Sequence, residues 1–196
     1  MPKLYVVSDT HIDGKMKQLG NGSHIHWRYD DPDYTERLLN NWRNKVKPED
    51  TVIHVGDVIG NDRYTHAYGN IIRELPGHKI LVRGNHDGGK IEKWHSCFQE
   101  VHNTYVHKNI VFCHYPVNPI EFGAEYSVYG HVHYHPRTRN DHHLKHAVSY
   151  FSFEKNLCFV LPEWEYDLPE LHVFLEKRIA AGIEQDKKLN IYKYTS

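Results

Sequence analysis

KILVRGNHDGG, residues 79–89, runs an apolar stretch straight into an amide, an imidazole and a carboxylate, and closes on two glycines. Gly, Asn and Asp are turn residues, so one reading is a plain surface turn. The other is that a buried strand ends here and presents polar groups to a metal and a substrate. A turn needs no counterpart elsewhere in the chain. A metal site needs further donors at comparable places.

Such places recur. LYVV (4–7), TVIHV (51–55), NIVFC (109–113) and YSVY (126–129) are short and rich in Val, Ile and aromatics, like KILV (79–82). Continuous apolar runs of this length read as strands buried on both faces. HAVSYFSF (146–153) alternates more and reads as a later strand. Helical spacing appears in DPDYTERLLNNWRNKV (31–46), with Leu38, Leu39, Trp42 and Val46 on one face. YTHAYGNIIREL (64–75) reads as a second helix that stops at Pro76-Gly77. DLPELHVFLEKRIAAG (167–182) reads as a third, with Asp167 as cap, Glu170 closing a capping box and Gly182 as terminator. Strands alternating with helices, then strands in succession, imply a layered α/β domain with a mixed sheet.

Each of the five early runs leads to polar residues: Asp9-Thr10-His11, Gly56-Asp57, Gly84-Asn85-His86-Asp87, His114, and His131-Val132-His133. Sites in open α/β sheets gather outside the carboxyl ends of the strands. Five such clusters would converge on one crevice. The donors are carboxylates, an amide and imidazoles, with no thiolate, which favours Mn, Fe, Zn, Co or Ni over Mg, Ca or a soft metal.

Bulk composition narrows the class. The chain has 196 residues, a net charge of −1 and charges of both signs throughout, which gives no overall pull towards nucleic acid or membrane. No apolar run approaches the ~20 residues of a membrane span. The start, MPKLYVVSDTH, lacks a signal-peptide layout, and three scattered cysteines suit a reducing compartment. The expectation is a cytoplasmic protein. Histidine is the outlier, with 18 residues, none in a terminal run.

In order, DTH (9–11), GD (56–57), GNHD (84–87), CH (113–114) and GHVH (130–133) resemble the motif series of the calcineurin-like metallophosphoesterases, and specifically the small bacterial and phage type. DTH and GD are weak singly, whereas a given tetrapeptide such as GNHD arises by chance roughly once in 10⁵ positions. One departure is Cys113, where the family usually has Gly. The resemblance implies an α/β/β/α sandwich with mixed β-sheets, as a single domain over 1–182 followed by a polar tail, 183–196. It also implies two divalent ions, with Mn first and Fe, Zn, Ni or Co as alternatives. One would be held by Asp9, His11, Asp57 and His133, the other by Asp57, Asn85, His114 and His131, with Asp57 shared. A hydroxide between the ions would attack phosphorus, and His86 would serve the leaving oxygen. The implied activity is hydrolysis of a phosphodiester or phosphomonoester. A catalytically idle metal-binding scaffold on the same fold is the alternative.

GDVIGNDR and GNHD depart from the Gly-Asp-x-x-Asp-Arg-Gly and Gly-Asn-His-Glu of phosphoprotein phosphatases. That departure speaks against a phosphoprotein substrate, and the open groove that so short a chain would leave suits a nucleotide or cyclic nucleotide, with nucleic acid as a further option. Only the loop 12–30 and the segment 134–146 leave room for a substrate pocket. His24, His26 and Arg137 are the candidate substrate contacts there. His54 is expected as a hydrogen-bonded core residue, and His142 and His143 as part of a solvated polar loop.

Overall fold

The computed structural model describes residues 1–12, 33–60, 65–135 and 152–189. Strands β1 (Leu4–Val7), β2 (Thr51–His54), β3 (His78–Val82) and β4 (Glu100–His102) form a sheet in that order, parallel throughout. Parallel neighbours need crossovers. Helices α1 (Tyr34–Lys45), α2 (Thr65–Glu74) and α3 (Ile91–His95) lie in the connections between them. The second sheet is mixed. β5 (Thr104–His107) pairs antiparallel with β6 (Ile110–Cys113), which pairs parallel with β7 (Tyr126–Tyr129), and β7 pairs parallel with β8 (Asn156–Cys158). The expected α/β architecture with two multi-stranded sheets is what the chain adopts. The strand expected over 146–153 falls mostly outside the described residues.

One buried core joins both sheets, running from Val6, Ile53 and Leu81 to Phe112, Val128 and Leu157. Helix α1 turns Leu38, Leu39 and Trp42 into it, and Trp42 Nε1 donates to the Pro76 carbonyl at 3.0 Å. Helix α2 ends where expected. Beyond it the Lys79 ammonium reaches back from β3 to the Leu75 carbonyl at 2.6 Å, which answers one of the orphan acceptors of a helix end.

The last helix, α4 (Leu171–Lys188), departs from expectation at both ends. It does not start at Asp167. Val6 N donates to the Pro169 carbonyl at 3.2 Å, and Tyr5 bridges Glu170 antiparallel, so residues 169–170 lie along the open edge of β1. Asp167 instead faces Lys45 Nζ at 2.5 Å, and Glu170 precedes the helix without a side-chain cap bond. Nor does Gly182 end it. The helix passes through Gly182 because a Cβ there would collide with the Phe153 carbonyl and lie 2.6 Å from Glu154 N. Residues 183–188 thus continue the helix, and 190–196 lie outside the described residues.

Candidate metal centre

The parallel sheet delivers its polar residues to one rim. β1 and β2 exit side by side. Asp9 N donates to the Gly56 carbonyl, His11 N to the Asp57 carbonyl and Ile12 N to the Val58 carbonyl, at 2.8–2.9 Å. The second sheet joins where His131 N donates to the Asp9 carboxylate at 3.1 Å. Glycine makes the approach feasible. Gly56 has φ of 88°, and a Cβ on it would lie 2.5 Å from His114 Nδ1. A Cβ on Gly130 would overlap the Ser8 hydroxyl and the Asp9 carboxylate.

Asp57 stands at the middle. Its Oδ1 accepts from His86 N at 2.8 Å, which leaves Oδ2 facing two imidazoles. His11 Nε2 lies 3.5 Å from that oxygen on one side, and His114 Nε2 lies 3.3 Å from it on the other. On the His11 side, His133 Nε2 lies 3.7 Å from Asp9 Oδ1. On the His114 side, Asn85 Oδ1 lies 3.1 Å from His114 Nε2 and 2.9 Å from His131 Nδ1. Two donor groups result, Asp9–His11–Asp57–His133 and Asp57–His114–His131, and within each the candidate ligand atoms lie within 4.8 Å of one another. All seven residues expected as ligands are therefore brought together.

These donors fit divalent ions. They are oxygen and nitrogen atoms, mostly buried, with a carboxylate common to both groups. His114 Nδ1 donates to the Val55 carbonyl at 2.8 Å, which fixes the ring and turns Nε2 towards Asp57. Burial alone would lower the His114 pKa. The Asp57 carboxylate, with Asp9 beyond it, outweighs burial and lifts it to about 9. Burial alone would raise the Asp57 pKa, and the bond from His114 brings it below the ordinary value instead. A field that holds a proton on His114 also favours a cation.

His86 lies beside the centre, its ring 5.0 Å from that of His11. Its Nδ1 is 3.1 Å from the Gly60 carbonyl, which can only accept, so Nδ1 carries the proton. Asp87 does not hold that ring. Its fully buried carboxylate accepts from the backbone N–H groups of Asp57, Gly84 and Val58, at 2.7, 2.8 and 2.9 Å. Burial still raises its pKa to about 6.

A profile of the calcineurin-like phosphoesterases matches residues 2–184. The chain belongs to this family. Over 92 residues it is 29% identical to the uncharacterized protein MJ1445 of Methanocaldococcus jannaschii, a match covering 44% of this chain. The matched stretch spans about half, 48%, of that relative's length. The crystal structure of the Aquifex aeolicus protein of unknown function AQ665 superposes with a TM-score of 0.58 at 22% identity. The superposition covers 86% of this chain and 95% of that one, and speaks for the fold. Family and clustered Asp and His residues together support a metal-dependent phosphoesterase.

His24, His26 and Arg137, expected at the substrate, lie outside the described residues, as do His142 and His143. His54 is buried, with Nε2 2.8 Å from Thr10 Oγ1, as a core histidine should be. His135 turns from the centre to Glu163 at 2.5 Å. Cys97, Cys113 and Cys158 are free, with Cys113 half-buried. Among the described residues no helix is long and apolar enough to cross a membrane.

Three supporting residues left no mark in the sequence. Ser8 Oγ sits 2.6 Å from Asp9 Oδ2. Tyr34 Oη donates to the His11 carbonyl at 2.5 Å. Tyr115 lays its ring against His131, with centroids 4.6 Å apart. Each contact crosses between segments or depends on rotamer, and no spacing rule encodes it.

Proposed function

We propose that the chain is a two-metal hydrolase of phosphoesters, acting on a phosphodiester or phosphomonoester of nucleotide type. The observation that carries this reading is the Asp57 carboxylate, placed between two donor groups with Oδ2 towards both. Asp9, His11, Asp57 and His133 would hold one ion, and Asp57, Asn85, His114 and His131 the second. When bound, two such ions would supply an acidified water as nucleophile and polarise the phosphoryl oxygens.

The remaining steps belong to side chains. With only two carboxylates among seven ligands, the loaded site stays positive and attracts a phosphate without neutralising it beforehand. The use of Asn85 rather than a third carboxylate preserves that surplus. His86 Nδ1 keeps its proton on the Gly60 carbonyl, so Nε2 is the atom turned to the departing oxygen, and a ring that carries a second proton there hands that proton over and returns to the Nδ1–H form. Asp87 clamps the loops of Asp57 and Gly84 through three N–H groups and so fixes where His86 stands. Mixed oxygen and nitrogen ligation without a thiolate suits Mn, Fe, Zn, Co or Ni, and Mn is taken first on the resemblance to the family.

The test is hydrolysis of bis-para-nitrophenyl phosphate and para-nitrophenyl phosphate. Turnover of at least one with Mn²⁺, abolished by a chelator and restored by metal, is expected. No turnover of either ester by protein with metal bound would favour an idle scaffold on the same fold.

A further inference from the structure

Tyr115 is out of place for a packing residue. It follows His114 directly at the exit of β6. His114 is fully buried and its carbonyl accepts from Gly130 N at 3.2 Å, so the next residue is held at the rim of the centre. Yet Tyr115 is 45% exposed. The core tyrosines Tyr5, Tyr34 and Tyr129 are each at 1% or less.

The ring touches the centre without being covered by it. Its centroid lies 4.6 Å from His131 and 5.3 Å from His114, at interplanar angles of 58° and 79°. Neither imidazole lies flat against it. The connection that Tyr115 opens also leaves Ile120 and Phe122 exposed on the 3-10 turn Pro119–Phe122.

We propose that Tyr115 is a specificity-determining residue whose ring stacks on an aromatic group carried next to the phosphate, an aryl ring or a nucleobase. This rests on the phosphoesterase reading above and narrows its substrate class. A flat aromatic wall beside the second donor group rewards a planar substituent through offset stacking, and stacking is tolerant of which base is presented. The rival role is purely structural, a prop for the His131 and His114 rings.

Benzyl phosphate and cyclohexylmethyl phosphate separate the two. Both release an unactivated primary alcohol, and they differ in whether the ring is flat and aromatic. Each is assayed as the monoester and as its methyl diester, alongside the para-nitrophenyl esters, with wild type, Tyr115→Phe and Tyr115→Leu. Wild type should favour the benzyl ester in kcat/KM. Tyr115→Phe should keep that preference. Tyr115→Leu should reduce it at least ~5-fold, through KM more than kcat. The ratio is taken within one preparation, so a partly folded variant still reports it.

Equal loss on both esters in Tyr115→Leu, or a preference that survives it, overturns the stacking role. So does the lack of a benzyl preference in a wild type that turns over either ester. If no ester is turned over, the para-nitrophenyl ones included, the phosphoesterase reading fails and this inference falls with it.

Discussion

Asp9, His11, Asp57, His131 and His133 all sit at positive φ, between 39° and 66°. For residues with a side chain this region costs about 1–3 kcal/mol each and persists only where the surroundings impose it. The surroundings here are the cross-strand bonds that bind one loop to the next. The strain therefore falls on five of the seven residues that would hold metal. His86 is a separate case, since it lies beside the candidate ligands. His86→Ala should lower turnover at least ~100-fold with metal content unchanged, which kinetics and elemental analysis on the same preparation would check. Equal rates would remove the acid role. The candidate ligand residues were legible because the chemistry expected of them demands particular side chains after particular strands. Ser8, Tyr34 and Tyr115 were not, because any hydroxyl or ring at those positions would read alike in sequence.

At the scale of elements, β1, β2, β3, β6 and β7 were legible because strands buried on both faces are apolar without interruption. EVH, TYVH and NLC are too short and too polar to stand out, so β4, β5 and β8 were not. The final helix misled because local capping signals gave way to tertiary contacts: the DLPE segment serves the edge of β1, and Gly182 serves close packing. Gly182→Ala tests the second point. Helix propensity alone would favour alanine by ~1 kcal/mol. The clash with the backbone of Phe153 and Glu154 should reverse that sign and destabilise by ~1–3 kcal/mol in urea unfolding. A stabilised variant would mean that the contact is not close.

Asp50 offers a pH test at the same scale. Its Oδ1 accepts from Lys3 N at 2.7 Å and its Oδ2 from Lys47 N at 2.9 Å, tying the start of β1 to the turn before β2. The Lys3 N–H, aided by that of Lys47, holds its pKa below the ordinary carboxylate value of 3.8. A depressed folded pKa stabilises the ionised form. That stability is complete above the unfolded pKa and is lost as pH falls through the folded one. Asp50→Asn should therefore lower stability by ~1–2 kcal/mol at pH 6, and the gap should narrow below about pH 4. A gap of constant size down to pH 3 would contradict the assignment.

At the scale of the whole molecule, two sheets share one core, and the centre lies where their rims meet. Asp9, His11, Asp57, Asn85 and His86 come from the parallel sheet, and His114, His131 and His133 from the mixed one. Neither sheet supplies a complete set of donors. Their assembly is what makes a shared carboxylate feasible, and the activity proposed above depends on it. The most direct test is the metal content of protein loaded with Mn²⁺ and freed of excess ions by gel filtration. The account predicts two ions per chain for wild type and fewer than one for Asp57→Asn, because one carboxylate serves both sites. One ion or none in wild type, or two retained in Asp57→Asn, would contradict it.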